Sequence, residues 1–188
     1  MALNSRMHKT GSPGLFIIHY GGHGDPDDDK RQGQERRSVW RAYRSGGPDV
    51  KWYKILQEFE DTTFDVLLLF DCCHAAQGGR GSESLPGRVE LLAACGVREK
   101  TIDPGAGSFT TGLILGMKKF LEEKGRVLIS ELNSHLTHRK ADLYVNPVYI
   151  QLRLDQTERS VSLVPLSYTT ERESDQTIWR STICHSRC

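Results

Sequence analysis

Apolar and polar positions alternate along this chain in a way that marks out a small set of elements. Leu15-Phe-Ile-Ile-His-Tyr20 is a short apolar run rich in strand formers, stopped by Gly21-Gly22, and reads as a buried strand ending in a tight loop. Residues 25–49 are polar, charged and glycine-bearing, the pattern of a long surface loop. Asp49 is placed to cap a helix running to about Glu60, with Trp52, Ile55, Leu56 and Phe59 on one face. Phe64-Asp-Val-Leu-Leu-Leu-Phe70 is apolar at nearly every position, as a central strand of a parallel sheet must be. The helix between these two strands makes the pair a βαβ unit, right-handed by default.

The second half reads in the same way. Gln77 to Gly87, rich in Gly, Ser and Arg, predicts an exposed connection. Arg88 to Ala94 reads as a third strand. Ser108 is positioned to cap a helix in which Leu113, Met117, Phe120 and Leu121 share a face and which ends near Gly125. A shorter helix is expected over Ser130 to Thr137, a strand over Val148 to Leu154, and a further extended segment over 161–166. Residues 1–13 read as a disordered N-terminus, 14–168 as one domain, and 169–188 as a polar tail.

Composition narrows the function classes. A chain of 188 residues suits one domain of ordinary size. Lys plus Arg number 25 against 24 for Asp plus Glu. That balance gives no long-range attraction to nucleic acid or to acidic membranes. The apolar run Val66 to Phe70 is too short to span a bilayer, and Met1 to Pro13 has no apolar stretch of signal-peptide kind. Five cysteines, two of them adjacent, argue against a disulfide framework and for reduced thiols in the cytoplasm.

Two segments carry candidate chemistry: His19-Tyr-Gly-Gly-His23-Gly24 and Asp71-Cys72-Cys73-His74-Ala75. Each directly follows a predicted strand, and ligands of open α/β sheets bind beyond the C-terminal ends of strands. If the strands are neighbours, Cys73 and His23 face one cleft. A thiol is a strong nucleophile once ionised, and an adjacent imidazole can take its proton and later protonate a leaving amine. Gly24, lacking a side chain, allows backbone and substrate to approach closely. The amides of Gly24 and Cys73 can then serve as an oxyanion site.

These segments resemble known motifs. Tyr20-Gly-Gly-His-Gly24 resembles the Tyr-Ser-Gly-His-Gly of metacaspases, and Asp71-Cys-Cys-His-Ala75 resembles their Asp-Ser-Cys-His-Ser. Cys73 follows His23 by 50 positions (73 − 23), as in caspases, where the separation is about 50 residues. Gly107-Ser-Phe-Thr110 looks like the segment that opens a helix after the next strand in this clan. The chain as a whole, over residues 14–166, looks most like caspase-domain proteins of filamentous fungi. The resemblance implies an α/β, three-layer caspase-like fold with a mostly parallel central sheet, lacking its N-terminal strands. It implies a cysteine endopeptidase with Cys73 as nucleophile and His23 as base, acting on proteins or peptides in proteolytic signalling or regulated cell death, without a cofactor. In metacaspases an acidic residue at the position of Asp71 binds a basic P1 side chain, which implies cleavage after Arg or Lys; a turn or capping role is the alternative for Asp71. Arg80 and Arg88 are then conceivable self-cleavage positions. The rival reading is a non-catalytic caspase-like interaction module.

The remaining residues have plainer readings. Cys72 alternates into the core. His74 reads as an ordinary helix-start residue and His19 as a satisfied core histidine. Metacaspases are often calcium-activated, and the run Asp25-Pro-Asp-Asp-Asp29 offers carboxylates that suit a hard cation. Its spacing is not that of an EF-hand, and it reads as a solvated acidic loop. Adjacent cysteines chelate a tetrahedral zinc poorly, so no metal site is expected.

Overall fold

The computed structural model describes residues 14–27, 38–44, 47–60, 63–76, 87–96, 98–138, 142–153 and 160–165. In chain order the elements are β1 (Leu15–Gly21), β2 (His23–Pro26), β3 (Ser38–Arg41), β4 (Asp49–Val50), α1 (Trp52–Glu60), β5 (Asp65–Asp71), β6 (Val89–Ala93), α2 (Phe109–Lys124), β7 (Val127–Leu128), α3 (Ile129–Thr137), β8 (Val148–Arg153) and β9 (Ser162–Leu163). The expected N-terminal and C-terminal tails and the connection over 77–86, with Arg80, lie outside the described residues.

The main sheet has the order β1-β5-β6-β8, with β1, β5 and β6 parallel and β8 antiparallel to β6. Its middle strand is β5, whose five residues Val66 to Phe70 are all buried, because both faces of the sheet are covered there. Val66, Leu68 and Phe70 join Trp52 and Leu56 of α1 in one core. Leu67 and Leu69 point the other way and meet Phe109, Leu113 and Phe120 of α2 and Leu132 and Leu136 of α3. The result is a three-layer α/β arrangement, as the alternation of strands and helices predicts. α2 begins and ends where its sequence signals stand: Ser108 accepts the Thr111 N–H, and Gly125 takes the left-handed backbone (φ 66°) that closes the last turn.

Five expectations are corrected. β1 is the edge of the sheet, so it is half-buried rather than buried. Phe16, Ile18 and Tyr20 pack into the α1-side core, whereas Leu15, Ile17 and His19 are exposed, Ile17 at 51%. His19 is therefore a surface residue and not a core histidine. Residues 25–49 are not all loop, because β2, β3 and β4 form a small antiparallel sheet. Asp49 is a strand residue opposite Arg41 rather than a helix cap; α1 is anchored instead by its Trp52 indole, which donates to Ser38 Oγ at 3.0 Å. Ile55 is 43% exposed, which leaves Trp52, Leu56 and Phe59 to form the inner face. Among the described residues, no helix is long and apolar enough to cross a membrane.

The N-terminal rim of the parallel strands is tied by polar groups. Arg88 is not a free linker residue: its guanidinium pairs with Asp65 and donates to the Ser160 carbonyl at 3.2 Å. Such a side chain is poorly placed to enter a protease pocket. Arg153, which is buried, donates to the carbonyls of Gly87 and Phe64. Glu90, 1% exposed on β6, accepts from Val161 N–H at 2.8 Å and Ser160 Oγ at 2.9 Å. Ser160 Oγ in turn accepts from the Ser130 N–H at 3.0 Å, so one carboxyl ties β6 to α3 and to the strand-leading segment before β9.

Burial pushes the Glu90 carboxyl above the usual carboxylate range, against the opposing pull of the Val161 and Ser160 hydrogen bonds. A carboxyl raised in the fold contributes stability that is complete below the unfolded value of about 4.3 and is lost as pH rises through the folded value. Glu90→Gln is therefore expected to remove part of the decline in stability above that range, read by urea unfolding between pH 4 and 8. Glu90→Ala strands two buried donors and is expected to cost about 1–3 kcal/mol at all pH values; a pH slope identical in wild type and Glu90→Gln would refute this assignment.

Candidate active site

The parallel pairing of β1 with β5 decides where the two motifs go. Its register sets Gly21 opposite Asp71, and the ladder continues one step further, with Gly22 N–H donating to the Asp71 carbonyl at 3.1 Å. Parallel neighbours leave the sheet at the same rim, so His23-Gly24 and Cys72-Cys73 emerge side by side. Gly24 is buried against this second segment: a methyl at its Cα would overlap the carbonyl oxygen of Cys73 and lie 3.3 Å from Cys72 Sγ. The glycine is thus required by the cysteine loop itself, a closer reason than substrate approach.

His23 is exposed and opens β2, opposite Arg41 of β3. Its backbone is held from below: the Tyr20 hydroxyl donates to the His23 carbonyl at 2.9 Å, and the Tyr20 ring stacks on Trp40 with centroids 4.0 Å apart. Trp40 stands opposite Gly24 in the ladder and meets Phe70 edge-on at 5.2 Å. Burial pushes the Tyr20 hydroxyl up to about 12, so it remains a proton donor throughout the neutral range. The imidazole is free of such clamping, and no hydrogen bond joins it to Cys73 among the described residues.

The adjacent cysteines have different fates. Cys72 is 2% exposed and belongs to the α1-side core, as expected. Burial foremost, then Cys95, Cys73 and Asp71 nearby, push its thiol well above the ordinary range, which leaves it a poor nucleophile. Cys73 is half-exposed at the rim, with Sγ 3.7 Å from Thr101 Oγ1. Behind both, the buried Cys95 thiol donates to the carbonyls of Cys72 at 3.3 Å and Glu99 at 3.4 Å. His74 does not start a helix. The segment Cys73 to Ala76 is a turn, and His74 takes a left-handed backbone (φ 58°) while its N–H donates to the Glu99 carbonyl at 3.1 Å.

Asp71 holds two positions at once. Its Oδ2 accepts from Thr110 N–H at 3.2 Å and from Thr110 Oγ1 at 2.6 Å, in the first turn of α2, where a carboxylate is favoured. The capping role is therefore real. Asp71 also lines a small pocket with Thr101, Ile102, Gly107, Phe109 and Val145, and Thr101 connects that pocket to the Cys73 sulfur. Sequence reasoning missed Tyr20, Glu99, Thr101 and Thr110. The Gly107-Ser-Phe-Thr110 segment pointed to the helix start, but nothing in the chain marks Thr101.

The two described aspartates of the acidic run are each paired. Asp25 pairs with Arg41 at 3.3 Å, and Asp27 accepts from Tyr53 OH at 2.8 Å beside Lys51 at 3.5 Å. Asp28 and Asp29 lie outside the described residues. No group of three or more His, Cys, Asp or Glu able to hold a metal ion occurs among the described residues.

No family model and no curated protein matches this chain. Among solved structures, it is similar to the crystal structure of protein GSU0716 from Geobacter sulfurreducens, with a TM-score of 0.55 and 13% identity over 78% of this chain and 69% of that one. At that identity the likeness speaks for a shared α/β fold alone.

Because the two loops touch through Gly24, Gly24→Ala is expected to force them apart, destabilising the chain by about 1–3 kcal/mol. The spectrum of the stacked Tyr20–Trp40 pair should change with it, and near-ultraviolet circular dichroism with thermal melting provides the check. At His74, glycine should be tolerated, whereas a β-branched His74→Val should lower stability by about 1–2 kcal/mol.

Proposed function

We propose that this chain is a cysteine endopeptidase of the caspase and metacaspase kind, with Cys73 as nucleophile, His23 as general base and acid, and a preference for Arg or Lys at P1. The observation that carries this reading is the contact of Gly24 with the Cys73 carbonyl, which brings the histidine and cysteine loops to one rim. The His23 imidazole would take the thiol proton as the sulfur adds to the scissile carbonyl. The negative oxygen would be received by the amides of Gly24 and Cys73. Collapse of the adduct would expel the amine, protonated by the imidazolium, and leave a thioester. Water, deprotonated by the same imidazole, would release the acid and the free thiol.

The lining of the pocket next to Thr101 supports the P1 preference by its chemistry rather than its size, since the hollow has room for about one water and a long side chain would lie across its open mouth. Ile102, Phe109 and Val145 offer apolar wall for an aliphatic stem, and Asp71 supplies a carboxylate. A substrate cation would pair with it, and a substrate carboxylate would be repelled. One Asp71 oxygen carries both Thr110 bonds, which leaves the other for a ligand. Cytoplasmic placement and a role in proteolytic signalling or regulated cell death belong to the same proposal.

The exposed edge of β1, with Leu15 and Ile17 at the surface, favours a second reading: a non-catalytic interaction module. Turnover separates the two. Fluorogenic peptides with Arg or Lys at P1, tested with and without calcium, should be cleaved by wild type and by Cys72→Ala but not by Cys73→Ala. His23→Ala should lose at least about a hundredfold. Asp71→Asn keeps an acceptor for Thr110 and removes the charge; it should lower kcat/KM for Arg peptides about ten- to a hundredfold with little change in melting temperature. Preference for Asp at P1 would refute the specificity assignment. Activity surviving in Cys73→Ala would refute the nucleophile.

A further inference from the structure

The loop after β6 is absent from the two-motif reading, yet it touches the sulfur. It turns at Gly96, whose N–H donates to Glu99 Oε2 at 2.8 Å, and Glu99 N–H returns to the Gly96 carbonyl at 3.2 Å. The Glu99 carbonyl then receives the His74 N–H at 3.1 Å and the Cys95 thiol at 3.4 Å. This tight turn is therefore fastened to the residue immediately after Cys73. Two positions beyond Glu99, the chain delivers the Thr101 hydroxyl to within 3.7 Å of Cys73 Sγ. Thr101 is half-buried and Cys73 half-exposed, and Thr101 also lines the Asp71 pocket.

The chemistry of this pair depends on the charge of the sulfur. A thiol is a weak donor and a weak acceptor. A thiolate has no proton to give, so only the hydroxyl can then donate. Hydrogen bonds to ionised groups are shorter and about twice as strong as neutral ones, and they favour the charged form they serve. A long contact in the free protein that tightens when charge develops is ordinary for a reacting group.

We propose that Thr101 is a further active-site residue of this chain: its hydroxyl donates to the Cys73 thiolate, stabilising it and holding the sulfur next to a residue of the Asp71 pocket. This rests on the reading of Cys73 as the nucleophile. It makes the site a meeting of three loops, and it assigns to the Gly96–Glu99 turn the task of setting where the hydroxyl stands. His23 would act on the sulfur from the β1 side as the proton acceptor, while Thr101 would meet the charge left behind.

Alkylation by iodoacetamide tests this without any peptide. The thiolate displaces iodide, an S–C bond forms, and the adduct on Cys73 is followed by fragment-ion mass spectrometry. Thr101→Val keeps the shape of the side chain and removes the hydroxyl; Thr101→Ser keeps the hydroxyl. At pH 7, Thr101→Val should react about tenfold more slowly at Cys73, as expected for loss of one bond to a charged group, and its rate should approach the wild-type rate at high pH. Thr101→Ser should stay within about twofold of wild type. If Thr101→Val fails to fold, Thr101→Ala carries the same comparison. Equal or faster alkylation in Thr101→Val, or no rescue by serine, overturns the proposal. Peptide turnover stands apart from this readout: a chain that cleaves no peptide yet shows hydroxyl-dependent alkylation would retain the Thr101 assignment and lose the peptidase reading. A chain that cleaves peptides with a rate indifferent to Thr101→Val in both assays would do the reverse.

Discussion

The parallel pairing of β1 with β5 is the constraint on which the site depends. Its register fixes Gly21 opposite Asp71 and carries the ladder on to Gly22, so the two chains leave the sheet in step. A slip of one residue would turn every β1 side chain to the other face. Phe16, Ile18 and Tyr20 would then leave the α1-side core, and Leu15, Ile17 and His19 would enter it. Burial of the aromatic set therefore specifies the register, and the register specifies that His23 and Cys73 share a rim. Tyr20 serves both purposes: its ring belongs to the core that selects the register, and its hydroxyl grips the backbone of His23.

Much of this was legible in the chain, and the failures have physical causes. β5 and α2 carry strong local signals: a run of apolar residues for the one, Ser108 and Gly125 as caps for the other. Cys72 and Cys73 could be told apart by alternation, and burial of Cys72 agrees. His19 was misread because an apolar strand does not disclose whether a neighbour covers it. That depends on strand order, and β1 is at the edge. The small sheet of β2, β3 and β4 was hidden because its strands are short and polar, and they are stabilised by pairs such as Asp25 with Arg41 and by the stacking of Trp40 rather than by periodicity. Asp49, an excellent cap by type, was drawn into that ladder instead. Thr101 and Glu99 left no mark in the sequence, since their roles arise from a backbone bond between loops far apart in the chain.

Burial sorts the neighbouring thiols. Cys72 and Cys95 sit where ionisation is costly, and the interior raises both. Cys73 differs from its neighbour by one step of alternation at a strand end, which turns it to the rim. Among the described residues two of the thiols are buried and one is half-exposed, so within the adjacent pair it is Cys73 that a reagent can meet.

Asp71 shows how the same rim holds structure and candidate chemistry together. Its bonds to Thr110 fasten the end of the middle strand to the start of α2, and the helix N-terminus stabilises its charge. A carboxylate so held is oriented before any ligand arrives, which lowers the ordering cost of binding a cation. The same partial positive charge also weakens the attraction that a guanidinium or ammonium would feel. The two effects oppose each other. Orientation dominates if a ligand cation reaches the oxygen that Thr110 does not occupy, because a charge-assisted bond at contact distance outweighs a helix-end interaction of about 0.3–1 kcal/mol.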